Sequence, residues 1–147
     1  MPGSQTTDAP HGRVALGMSG GVDSSVAVAA LAAEGYEVVG VTLVLRDAPD
    51  ARDAARAAAK VCARLGAEHR VVEAAAAFDA AVVAPFAAAY GAGLTPSPCV
   101  GCNAAVKLPL LVAAADEARG PKVFLRTAFG GTRILDMLVG EQLPRIC

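Results

Sequence analysis

Ser19, Gly20, Gly21, Val22, Asp23, Ser24 and Ser25 form one tight run, SGGVDSS, and Cys99 and Cys102 stand three apart in PCVGCN. Glycines let backbone N–H groups come close to a ligand, and serine hydroxyls add further donors. Where such a run leaves a strand and opens a helix, the helix start adds the positive end of its dipole. The sum is an anion cradle suited to phosphate. No lysine follows, so this is not the G-x-x-x-x-G-K-[ST] loop that holds β- and γ-phosphates for terminal phosphoryl transfer, nor is it the G-x-G-x-x-G dinucleotide turn. A lysine-free cradle that grips pyrophosphate leaves the α-phosphorus open to attack. The plainer alternative is a glycine-rich turn with Asp23 as the helix cap.

The Cys99/Cys102 pair alone is compatible with a redox pair, half of a zinc site or part of an iron–sulfur site. There is no second Cys-x-x-Cys, and His11 and His69 are remote in sequence, which argues against a closed zinc site. Cys62 falls on an apolar helix face and reads as core.

The elements that must position these residues alternate along the chain. Residues 13–18 form a short apolar strand, and 23–34 a helix that stops at Gly35. Residues 36–45 are β-branched and extended, 48–66 a helix opened by Pro49 and closed by Gly66, and 69–74 a third strand. Residues 77–93 are helical with a break expected at Pro85, and 94–103 form a proline-fixed loop. Residues 103–119 are helical with a bend at Pro109, and 122–129 supply a fourth strand. This order predicts an α/β fold, a parallel sheet with helices on both faces. It divides the chain into a loose tail (1–12), one ligand-binding domain (13–119) and a divergent C-terminal segment (120–147) with one strand and a helix.

Hydrophobic residues make up 54% of the 147, which excludes a disordered chain. Formal net charge is −1, with a balance of −3 over residues 1–102 and +2 over 103–147, too slight for a nucleic-acid footprint. Four cysteines with no signal-peptide pattern point to a reducing, cytoplasmic setting. Charges interrupt every apolar run before about 20 residues, so no membrane helix is expected.

SGGVDSS resembles the SGGxDS signature of the PP-loop ATP pyrophosphatases. Together with DARDAARAAAKVCARLGAEHRVVE and GAGLTPSPCVGCNAAVKLPLL, it resembles the N-terminal part of the tRNA-specific 2-thiouridylases, collinearly from Val14 to Glu117. The resemblance implies a Rossmann-like, adenine nucleotide alpha hydrolase-like fold. It also implies that Gly17, Met18, Ser19, Gly20, Gly21, Val22, Asp23 and Ser24 bind ATP phosphates with Mg²⁺, and that Leu43 touches adenine. Ser97, Pro98 and Cys99 fall where the family meets the target base of its tRNA. Cys102 matches the cysteine that releases sulfur from a persulfide, which a donor protein must supply. Cys99 stands where family members often have aspartate, and a cluster held by both cysteines and a third ligand is a minority alternative. Lys107 reads either as a tRNA phosphate contact or as a solvated lysine.

The resemblance stops near Gly120. The family's ATGHY-like motif is replaced by KVFLRTAFGGTRIL, where Gly130 or Gly131 would have to serve. The family's persulfide-bearing cysteine and later domains have no counterpart, and Cys147 lies too early to be that cysteine. The chain therefore reads as a shortened or frameshifted form of a longer one. The expected function is ATP-dependent tRNA 2-thiolation; the alternative is an ATP-binding module or remnant without sulfur transfer. Another PP-loop ligase is a third reading, and Cys102 argues against it.

Overall fold

The computed structural model describes residues 12–98, 102–117, 122–125 and 135–138. In chain order they form β1 (Arg13–Gly17), α1 (Val22–Ala33), β2 (Glu37–Val44), α2 (Pro49–Arg64), β3 (Glu68–Glu73), α3 (Ala75–Phe78), a π-helical turn (Asp79–Val83), α4 (Ala84–Gly91), a second π-helical turn (Asn103–Lys107), α5 (Leu108–Glu117), β4 (Lys122–Leu125) and β5 (Leu135–Leu138).

Alternation along β1 divides the core between two faces. Val14 and Leu16 meet Val28 and Leu31 of α1 and Ala58 and Cys62 of α2. Ala15 points the other way, joining Val39 and Val41 of β2 against Leu111, Ala114 and Ala115 of α5. The sheet is thus covered on both sides, and β2, an interior strand, is buried along most of its length, as its largely apolar run requires.

The strand order is β3-β2-β1-β4-β5. β2 and β4 flank β1 in parallel, β3 pairs with β2 in parallel, and β5 pairs antiparallel with β4. The expected parallel sheet is present, with an antiparallel edge strand added. After residue 120 the described elements are the strands β4 and β5. At the end of the sheet away from the β1–α1 turn, Arg13 reaches Glu37 at 3.2 Å and Glu68 at 2.5 Å, tying the starts of three strands.

The glycine stops occur as predicted. Gly35 has φ of 88°, and the N–H groups of Gly35 and Tyr36 donate to the carbonyls of Ala32 and Leu31, closing α1. The breaks predicted at Pro85 and Pro109 take one shape. Each proline follows a π-helical turn that ends two residues earlier. Proline lacks an N–H, and its ring crowds the carbonyl four residues back, here Ala81 or Ala105. Both carbonyls sit inside the wider turn, which absorbs the mismatch without ending the helix. Most of the tail expected at 1–12, together with Cys99, Gly130, Gly131 and Cys147, lies outside the described residues.

Candidate functional site

The carboxyl ends of β1 and β2 open into a cleft of about 570 Å³. β1 is where the strand order turns, with β2 on one side and β4 on the other, and such a switch point is where open α/β sheets bind ligands. The SGGVDSS turn forms one wall. Gly17, Met18, Ser19, Gly21, Val22, Asp23, Ser24 and Leu43 all line the cleft.

Within the turn, the two glycines do different things. Gly21 is the N-cap of α1, with φ −85° and no side-chain cap; Asp23 lies inside the first helical turn and is not the cap. A Cβ on Gly21 would meet only Ser19 Oγ, at 3.5 Å, so this position faces open space. Gly20 is not among the lining residues. Its φ is +77°, and a Cβ there would sit 2.6 Å from the backbone oxygen of Ala54 in α2. Gly20 lets the turn lie flat on α2, and Gly21 leaves room for a ligand.

The hydroxyls also divide. The Ser24 and Ser25 hydroxyls donate to the Gly21 carbonyl at 3.1 and 2.8 Å, and Ser24 is only 5% exposed. They stabilise the turn's shape. The Gly21 N–H donates to Ser19 Oγ at 3.4 Å, which leaves the proton of exposed Ser19 to donate elsewhere.

Sequence reasoning missed the rest of the lining: Val41, Thr42 and Leu45 from the end of β2, Ala51 and Ala54 from α2, and Leu111 from α5. Thr42 had a signal, being the one hydroxyl in the apolar run EVVGVTLV. It is 4% exposed, and its Oγ1 lies 2.9 Å from His69 Nε2 on β3. Burial holds the His69 pKa below its ordinary value, so the neutral ring is favoured. Lys107 lines the cleft as well, from the end of the second π-helical turn.

Cys102 does not line the cleft. It is 5% exposed and packs with Val82 and Val106, with Leu45, Phe78 and Leu110 around them. Leu45 belongs both to this cluster and to the cleft lining, so the cysteine's surroundings adjoin the cleft. Cys62 and Cys102 are both free thiols, and burial pushes the Cys62 thiol up. Cys62 is on the buried face of α2, in the core between that helix and the sheet. Ser97 and Pro98 are exposed on the loop leading toward Cys102, and Cys99 is outside the described residues. Among the described residues no group of three or more histidine, cysteine or acidic side chains is placed to hold a metal ion, and no helix is long and apolar enough to cross a membrane.

Residues 12–128 match the family described as the tRNA methyl transferase HUP domain. The chain belongs to that family. Its relatives include the tRNA-specific 2-thiouridylase MnmA of Rhodospirillum rubrum, 41% identical over 97% of this chain and 40% of that protein. The MnmA of Sorangium cellulosum is 51% identical over 65% of this chain and 27% of that protein. The chain thus spans well under half the length of these relatives. Among solved structures, the U34-tRNA thiolase NcsA of Methanococcus maripaludis matches 77% of this HUP-domain chain and 37% of its own, with a TM-score of 0.54 and 24% identity, which speaks to the fold.

Proposed function

We propose that the cleft binds ATP and that the chain carries the adenylating half of a tRNA 2-thiolation reaction in the cytoplasm. One observation carries this reading. The SGGVDSS turn lines a cleft at the sheet's switch point, with Gly21 facing open space and Ser19 free to donate. Backbone N–H groups at the start of α1 and the Ser19 hydroxyl bind phosphate oxygens. Leu43 offers an apolar surface to the adenine ring. Asp23, the one acidic residue among the described residues that line the cleft, would hold a Mg²⁺ ion, which would neutralise phosphate charge.

The chemistry follows from which phosphorus is exposed. The C2 oxygen of a wobble uridine attacks the α-phosphorus. The O–P bond forms as the bond to the bridging oxygen breaks, and pyrophosphate leaves with the electron pair. The uridine N3 proton is lost. AMP is then a good leaving group at C2. Sulfur from a donor protein is carried as the persulfide of a second cysteine, one without a counterpart in these 147 residues. Cys102 attacks that persulfide's inner sulfur; the outer sulfur is released to C2 and a disulfide forms, which a thiol reductant resets. Ser97 and Pro98, exposed ahead of Cys102, suit contact with the target base.

The test is calorimetric titration of the chain with Mg-ATP, followed by assay of pyrophosphate release with and without unmodified tRNA. Saturable ATP binding that is lost in Gly21→Ala, with release stimulated by tRNA, is the expected result. A folded chain with no ATP binding would overturn the proposal.

A further inference from the structure

The SGGVDSS turn lacks the lysine that phosphate-binding loops commonly carry, yet the cleft does not lack a cation. Among the described residues that line it, Lys107 is the one positive side chain. It arrives from a segment more than 80 residues away, at the end of the π-helical turn that precedes α5.

Its placement is tied to the phosphate turn by a neighbour. Leu111, one helical turn on, lies against Gly17 at the mouth of β1; a Cβ on Gly17 would sit 3.4 Å from Leu111 Cδ1. Residues four apart share a helix face, and both Lys107 and Leu111 line the cleft. Leu111 is therefore the anchor, and Lys107 is the arm extending from it beside the turn. Nearby arginines are differently disposed. Arg46, Arg52 and Arg56 pair with Asp50, Asp47 and Asp53 on the outer surface of α2 and the loop before it. Lys107 forms no ion pair with any described carboxylate, and it is half-buried. A half-buried ammonium in a cleft that also holds the start of α1 and the Ser19 hydroxyl is placed for an anion.

We propose that Lys107 supplies, from the π-helical turn before α5, the cation that the SGGVDSS turn lacks, and that it binds the β- and γ-phosphates of ATP, the pyrophosphate that departs. This rests on the nucleotide reading above and assigns Lys107 to the nucleotide, not to the tRNA backbone. As the bond between the α-phosphorus and the bridging oxygen breaks, negative charge grows on the leaving pyrophosphate, where an ammonium stabilises it.

The experiment compares Mg-ATP, ADP and AMP binding to the parent chain and to Lys107→Met, Lys107→Arg and Gly21→Ala, with unmodified tRNA titrated separately. Lys107→Met keeps the length of the stem and guards against a packing defect, and a thermal melt confirms folding. Loss of one charge-assisted contact should weaken ATP and ADP by about 10- to 100-fold. AMP should change little, and Lys107→Arg should recover most of the loss. If Gly21→Ala abolishes ATP binding while Lys107→Met leaves it unchanged, the nucleotide reading stands and the role given to Lys107 fails. If only tRNA affinity falls in Lys107→Met, Lys107 is a tRNA contact and the proposal is overturned. If ATP does not bind the folded parent chain, both fall together.

Discussion

Gly20 lies so close to the Ala54 carbonyl that a Cβ on Gly20 would stand 2.6 Å from that oxygen. The contact fixes the phosphate turn to α2, at a residue whose φ of +77° disfavours any side chain. Gly20→Ala should therefore destabilise the fold, by about 1–2 kcal/mol for the left-handed backbone and about 1–3 more for the overlap. Gly21→Ala, at φ −85° with open space ahead, should keep its melting temperature and lose ATP. Thermal melts beside ATP titrations separate the two. Equal melting temperatures for both variants would contradict the division of labour.

A second close approach lies in the core. A Cβ on Gly40 would meet Cys62 Sγ at 2.7 Å and Met18 Cγ at 3.1 Å. Gly40→Ala should cost about 1–3 kcal/mol in the parent. In a Cys62→Ala background the sulfur is gone and the cost should shrink, giving a coupling of about 1 kcal/mol. Urea denaturation of the four proteins in this cycle measures it; strict additivity would show that Met18 or His69 is the real obstacle.

His69 predicts a pH dependence. Its folded pKa lies below the ordinary 6.5 because burial disfavours the imidazolium. Below 6.5 the unfolded chain binds a proton that the folded chain resists, so stability is full above that value and falls as the solution is acidified. Glu68 is also held low, chiefly by its hydrogen bond from Arg70, and acts below 4.5, in a separate window. Melting temperature should drop from about pH 8 toward pH 5 in the parent. The drop should be shallower in His69→Gln, whose amide can still meet Thr42. Identical slopes would assign the effect to other groups.

Cys102 and Cys62 should separate in function. In a full-length thiouridylase carrying this domain, Cys102→Ser should reduce 2-thiouridine to background, because the persulfide's sulfur is not released. ATP affinity should hold, since Cys102 is outside the cleft lining. Cys62→Ala should lower stability and spare thiolation per folded molecule. Nucleoside analysis of digested tRNA reads both; parent-level 2-thiouridine in Cys102→Ser would remove that cysteine from the chemistry.

Much of this was legible in the sequence because its signals are local. The run VALGMSGGVDSSV carries a strand, a turn and a helix start in one window, and its chemistry sits where its backbone goes. Gly35 and Gly66 mark helix ends through bonds that span only a few residues. What stayed hidden depends on distant pairing. Nothing near Gly20 foretells the Ala54 carbonyl, so both glycines of the turn looked like ligand contacts. Lys107 read as a tRNA phosphate contact or a solvated lysine because the packing of Leu111 against Gly17, which brings its segment to the cleft, is tertiary. The strand at 135–138 depends on β4 for its pairing and has only four residues of its own to announce it.

The position of β1 has a consequence for how the chain assembles. Val14 pairs on one side with Val38 and on the other with Lys122, partners lying roughly two dozen and more than a hundred residues downstream. The first pairing is near-neighbour and fast; the second must close a very long loop. During synthesis the β1–α1–β2–α2–β3 unit can therefore form while the far edge of β1 still shows a bare row of N–H and C=O groups beside the phosphate turn. Such an edge recruits other strands. The interval between the emergence of β3 and the arrival of β4 is when a nascent chain is most exposed to aggregation, and slowing translation in that stretch should lower its soluble yield.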